Sequence, residues 1–330
     1  MRILLATDAW PPQVNGVVRT LTELMRELDR LDHEVTVIEP GLFRTIPCPG
    51  YAEIRLALGV RKRIGALIER AQPDAVHIVT EGPIGLAARR WCMKHDLGFT
   101  TAFHTRFPEY LAERMVAPAW LTYALLRRFH APARGVMVAT PSVAQALAAH
   151  GFANLRPWTR GVDRDLFDPA KRDDEIGFKR PVFLSVGRIA PEKNLPAFLG
   201  LDLPGSKVVV GEGPQLAELR RRFPQAHFLG RRENGKLARL YASSDVFVFP
   251  SRTDTFGLVM LEALASGLPV AAYPVAGPLD VIGDSGAGAL DDDLRKAALA
   301  IPHAQARAHA LTFTWSACAA QFVEQLCQVH

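Results

Sequence analysis

Residues 245–272 read DVFVFPSRTDTFGLVMLEALASGLPVAA, and this stretch decides the fold class. An apolar run at 245–249 predicts a strand, a helical pattern covers 257–266, and a second apolar run follows at 269–272. A strand, a helix and a strand in this order indicate a crossover between two parallel strands of one sheet.

The same alternation continues on both sides of this stretch. In the first half we predict strands at 2–7, 34–38, 74–79, 99–103 and 135–139, and helices at 17–31, 60–71, 83–95, 118–130 and 141–150. In the second half we predict strands at 181–186, 206–210, 226–229, 245–249 and 269–272, and helices at 214–222, 235–242, 257–266 and 291–300. Two such series, each of about 150 residues, predict an α/β protein with two doubly wound parallel sheets.

The joint between the two series lies in a polar stretch without a strong period, residues 160–181. We therefore predict an N-terminal Rossmann-like domain at 1–165 and a C-terminal Rossmann-like domain at 166–310. The stretch FTWSACAAQFVEQLCQV predicts a final helix within 311–330, and whether it packs back on the first domain stays open.

Composition narrows the class of protein. The first ten residues, MRILLATDAW, are too short an apolar run for a signal peptide, and no stretch approaches the roughly 20 apolar residues of a membrane span. The four cysteines form no CxxC pair and no zinc spacing, which indicates reduced thiols in a cytoplasmic protein.

The net charge of +5 is concentrated in one region. Residues 55–134 contain 13 Lys or Arg against 6 Asp or Glu, so the remainder of the chain is slightly acidic. Such a local excess indicates a surface that meets an anionic partner. Nucleic acid is one candidate, but the sequence has no helix-turn-helix, zinc-finger or RNP signature, and we expect no nucleic-acid partner.

Open α/β sheets bind ligands at the carboxyl ends of their strands, and with two sheets the natural position is the cleft between the domains. After the first strand, Gly16 stands where a helix begins, and a glycine there lets backbone N–H groups approach a phosphate. Arg188 and Lys193 follow the strand at 181–186, and two cations flanking one ligand suit a diphosphate.

Asp254 and Glu262 form a pair of carboxylates on either side of a predicted helix start at Gly257. At a rise of about 1.5 Å per residue, we expect them to lie roughly 10 Å or more apart. Retaining glycosidases need about 5–5.5 Å and inverting ones about 6.5–9.5 Å, so the spacing disfavours hydrolysis without excluding it. A helix N-terminus between two carboxylates suits a nucleotide sugar, with phosphate in the middle and a sugar at each end.

The stretch from Asp254 to Glu262 resembles the acidic–x7–Glu motif of the retaining, GT-B-fold family 4 (group 1) glycosyltransferases. The stretches PPQVNGV, FHTRFPEY, RGVDRDLF, VGRIAPEKN, GEGP, FLGRR and LYASSDVFVFPS also fit, so the resemblance covers nearly the whole chain. The TDTFG form resembles the branch with sulfoquinovosyl- and glucuronosyl-diacylglycerol synthases and GDP-mannose-dependent mannosyltransferases. Many relatives have Glu where this chain has Asp254, which leaves the donor sugar open.

The resemblance implies a GT-B fold, with the two Rossmann-like domains facing across a cleft, and it implies a role for each matching residue. Glu262 would bind the nucleotide ribose, and His104 in FHT would face the reacting sugar. The remaining donor-binding residues would hold the donor sugar, the diphosphate or the base: Gly16, Arg188, Lys193, Gly211, Arg231, Asp254, Thr255, Phe256, Gly257 and Leu258. Catalysis would depend on His104, Asp254, Arg188 and Lys193.

We expect no metal and no cofactor besides the UDP- or GDP-linked donor. Fixed cations and helix N–H groups can stabilise the charge on a leaving diphosphate. The triplet Asp291–Asp293 more simply supplies a helix cap, and Asp163 and Asp165 lie in the joint. Retention at the sugar carbon is implied by the resemblance alone.

The basic region and the resemblance together predict a lipid acceptor, such as diacylglycerol or a glycolipid, at an anionic membrane surface. The enzyme would then be peripheral on the inner face of the cell membrane. A soluble or polysaccharide acceptor, a GT-B nucleotide-sugar epimerase and a catalytically inactive sugar-nucleotide sensor remain alternatives, and the oligomeric state is open.

Overall fold

The computed structural model describes residues 1–13, 15–48, 51–104, 118–173, 176–300 and 305–329. Contacts between residues divide the chain into two compact units. Unit 1 consists of Met1–Arg160 together with Trp315–His330, and unit 2 consists of Gly161–Thr314.

Unit 1 is built on a parallel sheet with strand order β2-β1-β5-β6-β7-β8. The strands of this unit are β1 Arg2–Ala6, β2 Glu34–Ile38, β3 Arg44–Cys48, β4 Tyr51–Leu58, β5 Ala75–Ile78, β6 Thr100–Phe103, β7 Gly135–Val138 and β8 Leu155–Pro157. Its helices among the described residues include α1 Gly16–Arg30, α2 Val60–Ala71, α3 Pro83–Lys94, α4 Ala119–His130 and α5 Pro141–Ala149, with a 3₁₀ turn at Pro40–Leu42.

Unit 2 repeats this architecture with strand order β11-β10-β9-β12-β13-β14. Its strands are β9 Val182–Val186, β10 Ser206–Val210, β11 His227–Phe228, β12 Val246–Phe249, β13 Val270–Ala272 and β14 Gly288–Leu290. Its described helices are α6 Leu195–Leu199, α7 Leu216–Arg222, α8 Asn234–Ser243, α9 Leu258–Ala265, α10 Ala276–Val281, α11 Leu294–Leu299 and α12 Ala306–Ala310, with 3₁₀ turns at Pro169–Lys171 and Pro191–Lys193. Helix α13, Trp315–Gln325, belongs to unit 1 and packs on α1.

The central strands are buried on both faces, and most of their residues are apolar. Every residue of β5, β6, β7 and β12 is buried. Helices cover both faces of such a sheet, so its strands lose the alternation of polar and apolar residues that an exposed sheet shows. The predicted parallel, doubly wound sheets are confirmed in both units.

Several elements escaped sequence analysis. The antiparallel hairpin of β3 and β4 lies where no element was predicted, and its first strand includes Pro47 and is largely exposed. A proline and weak burial remove the apolar signal by which a strand is recognised. The edge strands β8 and β14 have three residues each, and the short helices α6, α10 and α12 have five or six, too few to show a period.

No helix among the described residues is both long and apolar enough to cross a membrane.

Candidate functional site

The carboxyl edge of the unit 2 sheet carries most of the predicted donor-binding residues. Strands β9 and β12 are neighbours in this sheet, and the loops that follow them begin at Gly187 and Pro250. Lys193 from the first loop donates from Nζ to Oδ1 of Asp254 in the second, at 2.5 Å. The fold therefore joins two residues that are 61 positions apart in the sequence.

This ion pair is mostly enclosed, because only 27% of the Lys193 side chain and 15% of the Asp254 side chain are exposed. The second carboxylate oxygen of Asp254, Oδ2, is buried and has no hydrogen-bond partner among the residues that the structure describes. A buried acceptor without a partner costs free energy, about 1–3 kcal/mol for a neutral group and more for a charged one. A ligand hydroxyl that donates to this oxygen would remove that cost.

Two further contacts hold the loops together. Asn194 follows the 3₁₀ turn in a left-handed conformation, with φ of 51°, and its side-chain amide donates to the Pro250 carbonyl at 3.1 Å. The Ser251 hydroxyl donates to the Glu192 carbonyl at 3.1 Å. Arg188 forms an ion pair with Glu192 at 3.5 Å. Both predicted diphosphate cations are thus placed by the same loop and have carboxylate partners.

Helix α9 begins directly after Gly257, where sequence analysis placed the start. Gly257 has φ of 83°, and a Cβ atom there would lie 2.8 Å from Cε of Met260 and 3.1 Å from the Phe249 ring. Only glycine adopts this left-handed conformation without strain. Phe256 is buried, and Thr255 and Leu258 are partly buried. This glycine sets the direction in which the α9 N-terminus points.

Glu262 lies in the second turn of α9 and is only 4% exposed. Its Oε2 accepts a hydrogen bond of 3.0 Å from the Tyr241 hydroxyl on α8. Tyr241 was not identified from the sequence, because a tyrosine within a helical pattern is expected to be a core residue. The buried hydrogen bond fixes the rotamer of Glu262, the predicted ribose ligand.

The glycine loop after β10 packs tightly against the loop after β9. A Cβ atom on Gly211 would lie 1.9 Å from the Gly187 carbonyl oxygen, and one on Gly213 would lie 2.3 Å from that of Ile189. Both glycines are therefore required by the approach of the two backbones. The other predicted residue of this side, Arg231, is half-exposed and pairs with Glu233.

In unit 1, Gly16 is the exposed first residue of α1, and the side chain of Asn15 caps the helix by accepting from Val18 N at 3.0 Å. His104 follows β6, as predicted. The rest of the stretch FHTRFPEY, from residue 105 onward, lies outside the described residues.

Burial lowers the pKa of His104 well below its usual value, and the nearby Arg160 cation lowers it further. The imidazole is therefore neutral near pH 7. Its Nδ1 lies 3.4 Å from Nη2 of Arg160. Sequence analysis did not single out Arg160, although it belongs to the quoted stretch RGVDRDLF.

Arg160 is a buried cation held by neutral groups. It donates to the carbonyls of Trp158 and Thr159 at 2.6 and 2.8 Å, and its guanidinium lies 4.2 Å from the centroid of the Trp158 ring. Burial lowers its pKa to about 10. The Arg160 guanidinium thus remains a hydrogen-bond donor to His104 at neutral pH.

The aspartate triplets have structural roles. Asp293 caps α11 by accepting from Arg295 N and Lys296 N, which confirms the predicted cap. Asp163 accepts from the backbone N–H groups of Asp165 and Leu166. Within the described part of the chain, no group of three or more His, Cys, Asp or Glu side chains could hold a metal ion.

Comparison with known proteins gives matches along most of the chain. The sequence model described as Glycosyltransferase Family 4 matches residues 14–166, and the model described as Glycosyl transferases group 1 matches residues 180–306.

Several curated relatives match over most of this chain. The chain is 32% identical to the sulfoquinovosyl transferase SQD2 of Arabidopsis thaliana, over 85% of this chain but only 61% of the plant protein. It is 30% identical to a GDP-mannose-dependent alpha-mannosyltransferase of Mycobacterium tuberculosis, over 86% of this chain and 81% of that protein. An alpha-monoglucosyldiacylglycerol synthase of Streptococcus pneumoniae is 27% identical over 88% of this chain and 75% of that protein.

Solved structures share the fold at low sequence identity. Sucrose-phosphate synthase from Thermosynechococcus elongatus matches with a TM-score of 0.77 at 19% identity, over 98% of this chain and 97% of that one. Anabaena HepE, solved in complex with UDP and glucose, matches with a TM-score of 0.71 at 15% identity, over 98% of both chains. The predicted two-domain GT-B fold class is confirmed.

Proposed function

The chain belongs to the family 4, group 1 glycosyltransferases, and from this premise we propose that it is a retaining, metal-independent hexosyltransferase. It transfers a hexose or hexuronate from a UDP-sugar or GDP-mannose to a lipid acceptor, such as diacylglycerol or a glycolipid. It acts as a peripheral protein on an anionic membrane.

The observation that supports donor binding best is the Lys193–Asp254 pair with Arg188 beside it. When the bond between sugar and diphosphate breaks, negative charge develops on the diphosphate. Lys193 and Arg188 would meet that charge, while the buried Oδ2 of Asp254 accepts a hydrogen bond from a donor-sugar hydroxyl. The two cations would supply the charge stabilisation that a metal ion gives in other transferases.

His104 fits a role at the reacting sugar because its imidazole is neutral. A neutral ring can donate from one nitrogen and accept at the other, so it can bind a sugar hydroxyl without adding charge. Arg160, at 3.4 Å, would orient the ring through Nδ1.

A lipid acceptor is supported by relatives and by one surface of unit 1. The relatives include proteins named for the synthesis of glycosyldiacylglycerol. Helix α4 exposes Trp120 by 70% and Leu125 by 61%, and it ends in the exposed Arg127 and Arg128. An apolar surface bordered by cations suits an anionic bilayer, where each Lys or Arg contributes about 1 kcal/mol.

The function is tested by incubating the purified protein with UDP- and GDP-sugars and vesicles that contain diacylglycerol. We expect a glycolipid whose anomeric configuration, read by NMR, is that of the donor, at a rate unchanged by EDTA. Inversion at the anomeric carbon, or reversible loss of activity in EDTA, would contradict those parts of the proposal.

The membrane part is tested by sedimentation with anionic and neutral vesicles. We expect binding that needs anionic lipid, weakens in high salt and is reduced in the double variant Trp120→Ser and Leu125→Ser. No vesicle binding together with efficient glycosylation of a soluble sugar would overturn the lipid acceptor. Conversion of the nucleotide sugar into a different nucleotide sugar without any acceptor would instead indicate an epimerase.

A further inference from the structure

Three neighbouring strands of unit 1 end at one edge of its sheet and are followed by titratable side chains. Strand β5 pairs with β1 on one side and with β6 on the other, and Ile78 is in register with Ala6 and Thr101. Asp8 follows β1, Glu81 follows β5 and His104 follows β6. Only His104 has a predicted role in the proposed function.

Both carboxylate oxygens of Asp8 accept hydrogen bonds within unit 1. Its Oδ1 accepts from Ile84 N at 2.9 Å, and its Oδ2 accepts from the Thr80 hydroxyl at 2.9 Å and from Gly85 N at 3.3 Å. A Cβ atom on Gly82 would lie 2.5 Å from this carboxyl group. Asp8 thus fixes the start of α3 and has no free oxygen to offer a ligand.

Glu81 differs from Asp8 in how its carboxylate oxygens are hydrogen-bonded. Its side chain is 18% exposed, and its Oε1 alone has a hydrogen-bond partner, Nε2 of His130 at 3.2 Å. The other oxygen, Oε2, has no hydrogen-bond partner among the described residues. A partly exposed carboxylate with one oxygen held and one available can accept a hydrogen bond from a ligand.

His130 holds Glu81 rigidly. It is 1% exposed at the end of α4, and its Nδ1 lies 2.9 Å from the Thr101 hydroxyl on β6. The Phe129 ring lies 5.0 Å from the imidazole, centroid to centroid, and packs edge-on against it. When Nε2–H donates to Glu81, Nδ1 accepts from Thr101, so one tautomer satisfies both contacts. The sheet, α4 and Glu81 are therefore joined through a single buried ring.

We propose that Glu81 binds a hydroxyl group of the acceptor and that His130 is its positioning residue. The proposal rests on the proposed function, because it takes the ligand to be the alcohol that receives the sugar. A hydroxyl of a lipid glycerol or glycolipid and a hydroxyl of a soluble sugar present the same chemistry to Glu81. The experiment below therefore has one arm for each source.

The position of Glu81 supports this assignment. It follows the strand next to the one that His104 follows, and His104 is the residue expected at the reacting sugar. Its partner His130 ends α4, the helix that exposes Trp120 and Leu125 to the proposed membrane. A hydroxyl bound by Glu81 would thus lie at the same sheet edge as His104, in the unit whose helix α4 exposes these apolar side chains.

The expected effect is on acceptor binding. A hydrogen bond to a charged group contributes about 1.5–3 kcal/mol, which is roughly tenfold to a hundredfold in an equilibrium constant. Glu81→Gln keeps the size of the side chain and an oxygen that His130 can donate to, but it removes the charge. We expect its acceptor KM to rise about tenfold or more, with the donor KM unchanged.

The assay measures three quantities: acceptor KM, donor KM and the slow hydrolysis of the donor by water without an acceptor. One arm uses dioleoylglycerol in vesicles, and the other uses a soluble monosaccharide. Glu23→Gln is the matched control, because Glu23 is 16% exposed and pairs with Arg26 at 2.9 Å on α1. We expect this control to change none of the three quantities.

The two substitutions at His130 separate positioning from packing. His130→Phe keeps a ring in the core but removes the donor, so we expect a raised acceptor KM. His130→Gln keeps an N–H donor near the position of Nε2, so we expect its acceptor KM to lie closer to that of the parent. If thermal unfolding shows that His130→Phe does not fold, the comparison of Glu81→Gln with the parent decides the proposal.

The Glu81 proposal is overturned if Glu81→Gln leaves the acceptor KM within twofold of the parent in the arm that the parent enzyme uses. It is also overturned if donor hydrolysis falls in parallel with transfer, since the residue would then act on the donor or on folding. The lipid proposal fails separately, when the parent uses only the soluble sugar.

Discussion

Charged and titratable side chains have different environments at the carboxyl edges of the two sheets. In unit 2, Lys193 and Arg188 each have a carboxylate partner, and all four side chains remain partly exposed. In unit 1, burial keeps His104 neutral, and Arg160 beside it is held by carbonyl groups. One edge therefore pairs its cations with carboxylates, whereas at the other a buried cation lies beside a neutral imidazole.

This difference matches what the two halves of a glycosyl transfer need. Both side chains of the mostly enclosed Lys193–Asp254 pair keep some exposed surface, so an incoming diphosphate would be able to take the place of Asp254 as the partner of Lys193. A neutral imidazole at His104 would bind a sugar hydroxyl without adding a charge, and burial keeps that ring neutral.

The largest expected effect comes from removing a cation of unit 2. We expect Lys193→Ala to lower kcat by about a hundredfold or more, because the proposed role of this cation is to stabilise charge that develops in the transition state. Lys296→Ala is the matched control, since Lys296 also pairs with an aspartate at 2.5 Å but is 70% exposed. Steady-state kinetics and thermal unfolding of both variants provide the measurement.

The kinetics of Lys193→Ala and Lys296→Ala can contradict the proposed role of Lys193. If Lys193→Ala reduces kcat no more than Lys296→Ala does, Lys193 serves only to neutralise Asp254. If Lys193→Ala strongly lowers the unfolding temperature as well as kcat, the loss of activity reflects an unpaired Asp254 carboxylate and says nothing about the diphosphate.

Glu262 should have the next largest effect, on donor affinity. Glu262→Gln should weaken donor binding roughly tenfold to a hundredfold, because a hydrogen bond to a charged group contributes about 1.5–3 kcal/mol. Tyr241→Phe keeps the charge and removes only the 3.0 Å hydrogen bond that orients it, so we expect a smaller loss. Calorimetric titration with the nucleotide measures both. Equal affinity of Glu262→Gln and the parent would contradict the ribose assignment.

The fold could be predicted from sequence because its signal is local. Strands such as β12 are apolar along their whole length, and a glycine directly follows each of β9 and β10. The hairpin of β3 and β4 gives no such signal, since it is partly exposed and contains Pro47.

The site was predictable only in part. Asp254, Glu262 and the glycine at the start of α9 stand in one motif. The contacts that define their chemistry are not local: Lys193 is 61 positions from Asp254, and His130 is 49 from Glu81. Tyr241 and Arg160 also act through partners that only the folded chain brings near. A single sequence shows which residues follow strands but not which of them pair.

A third prediction concerns acid stability and distinguishes the two units. Burial lowers the pKa of His77 to about 3, while in the unfolded chain it is about 6.5. The unfolded chain therefore binds more protons between these values, so stability present above pH 6.5 is lost as the pH falls toward 3. From His77 alone we expect a loss of about 2 kcal/mol at pH 5 relative to pH 7.

The measurement is the free energy of unfolding at pH 5 and pH 7 for the parent and His77→Asn, with hydrogen exchange to locate the change. The comparison uses the difference between the two proteins, because Asp8 also contributes to the pH dependence of stability. Burial raises the pKa of Asp8 above 3.8, so its contribution to stability decreases as the pH rises, opposite to that of His77. We expect the substitution to reduce the acid loss, and we expect exchange at pH 5 to increase first in β5 and β6. An identical pH dependence in His77→Asn would show that His77 is not the cause.

The smallest effect tests whether the unit 2 edge depends on backbone direction as well as on charge. Gly257→Ala and Gly177→Ala both place an alanine at positive φ, 83° and 75°, which costs about 1–2 kcal/mol. Around Gly177 the added Cβ meets no atom of the described residues within 4 Å, whereas at Gly257 it meets Met260 and Phe249. Denaturant unfolding should therefore show a loss of about 1 kcal/mol for Gly177→Ala and a somewhat larger one for Gly257→Ala. Only Gly257→Ala should also weaken nucleotide-sugar binding, because it turns the start of α9 away from its ligand. Equal donor affinity in the two variants would mean that the charges of Lys193 and Arg188 hold the diphosphate without help from the α9 N-terminus.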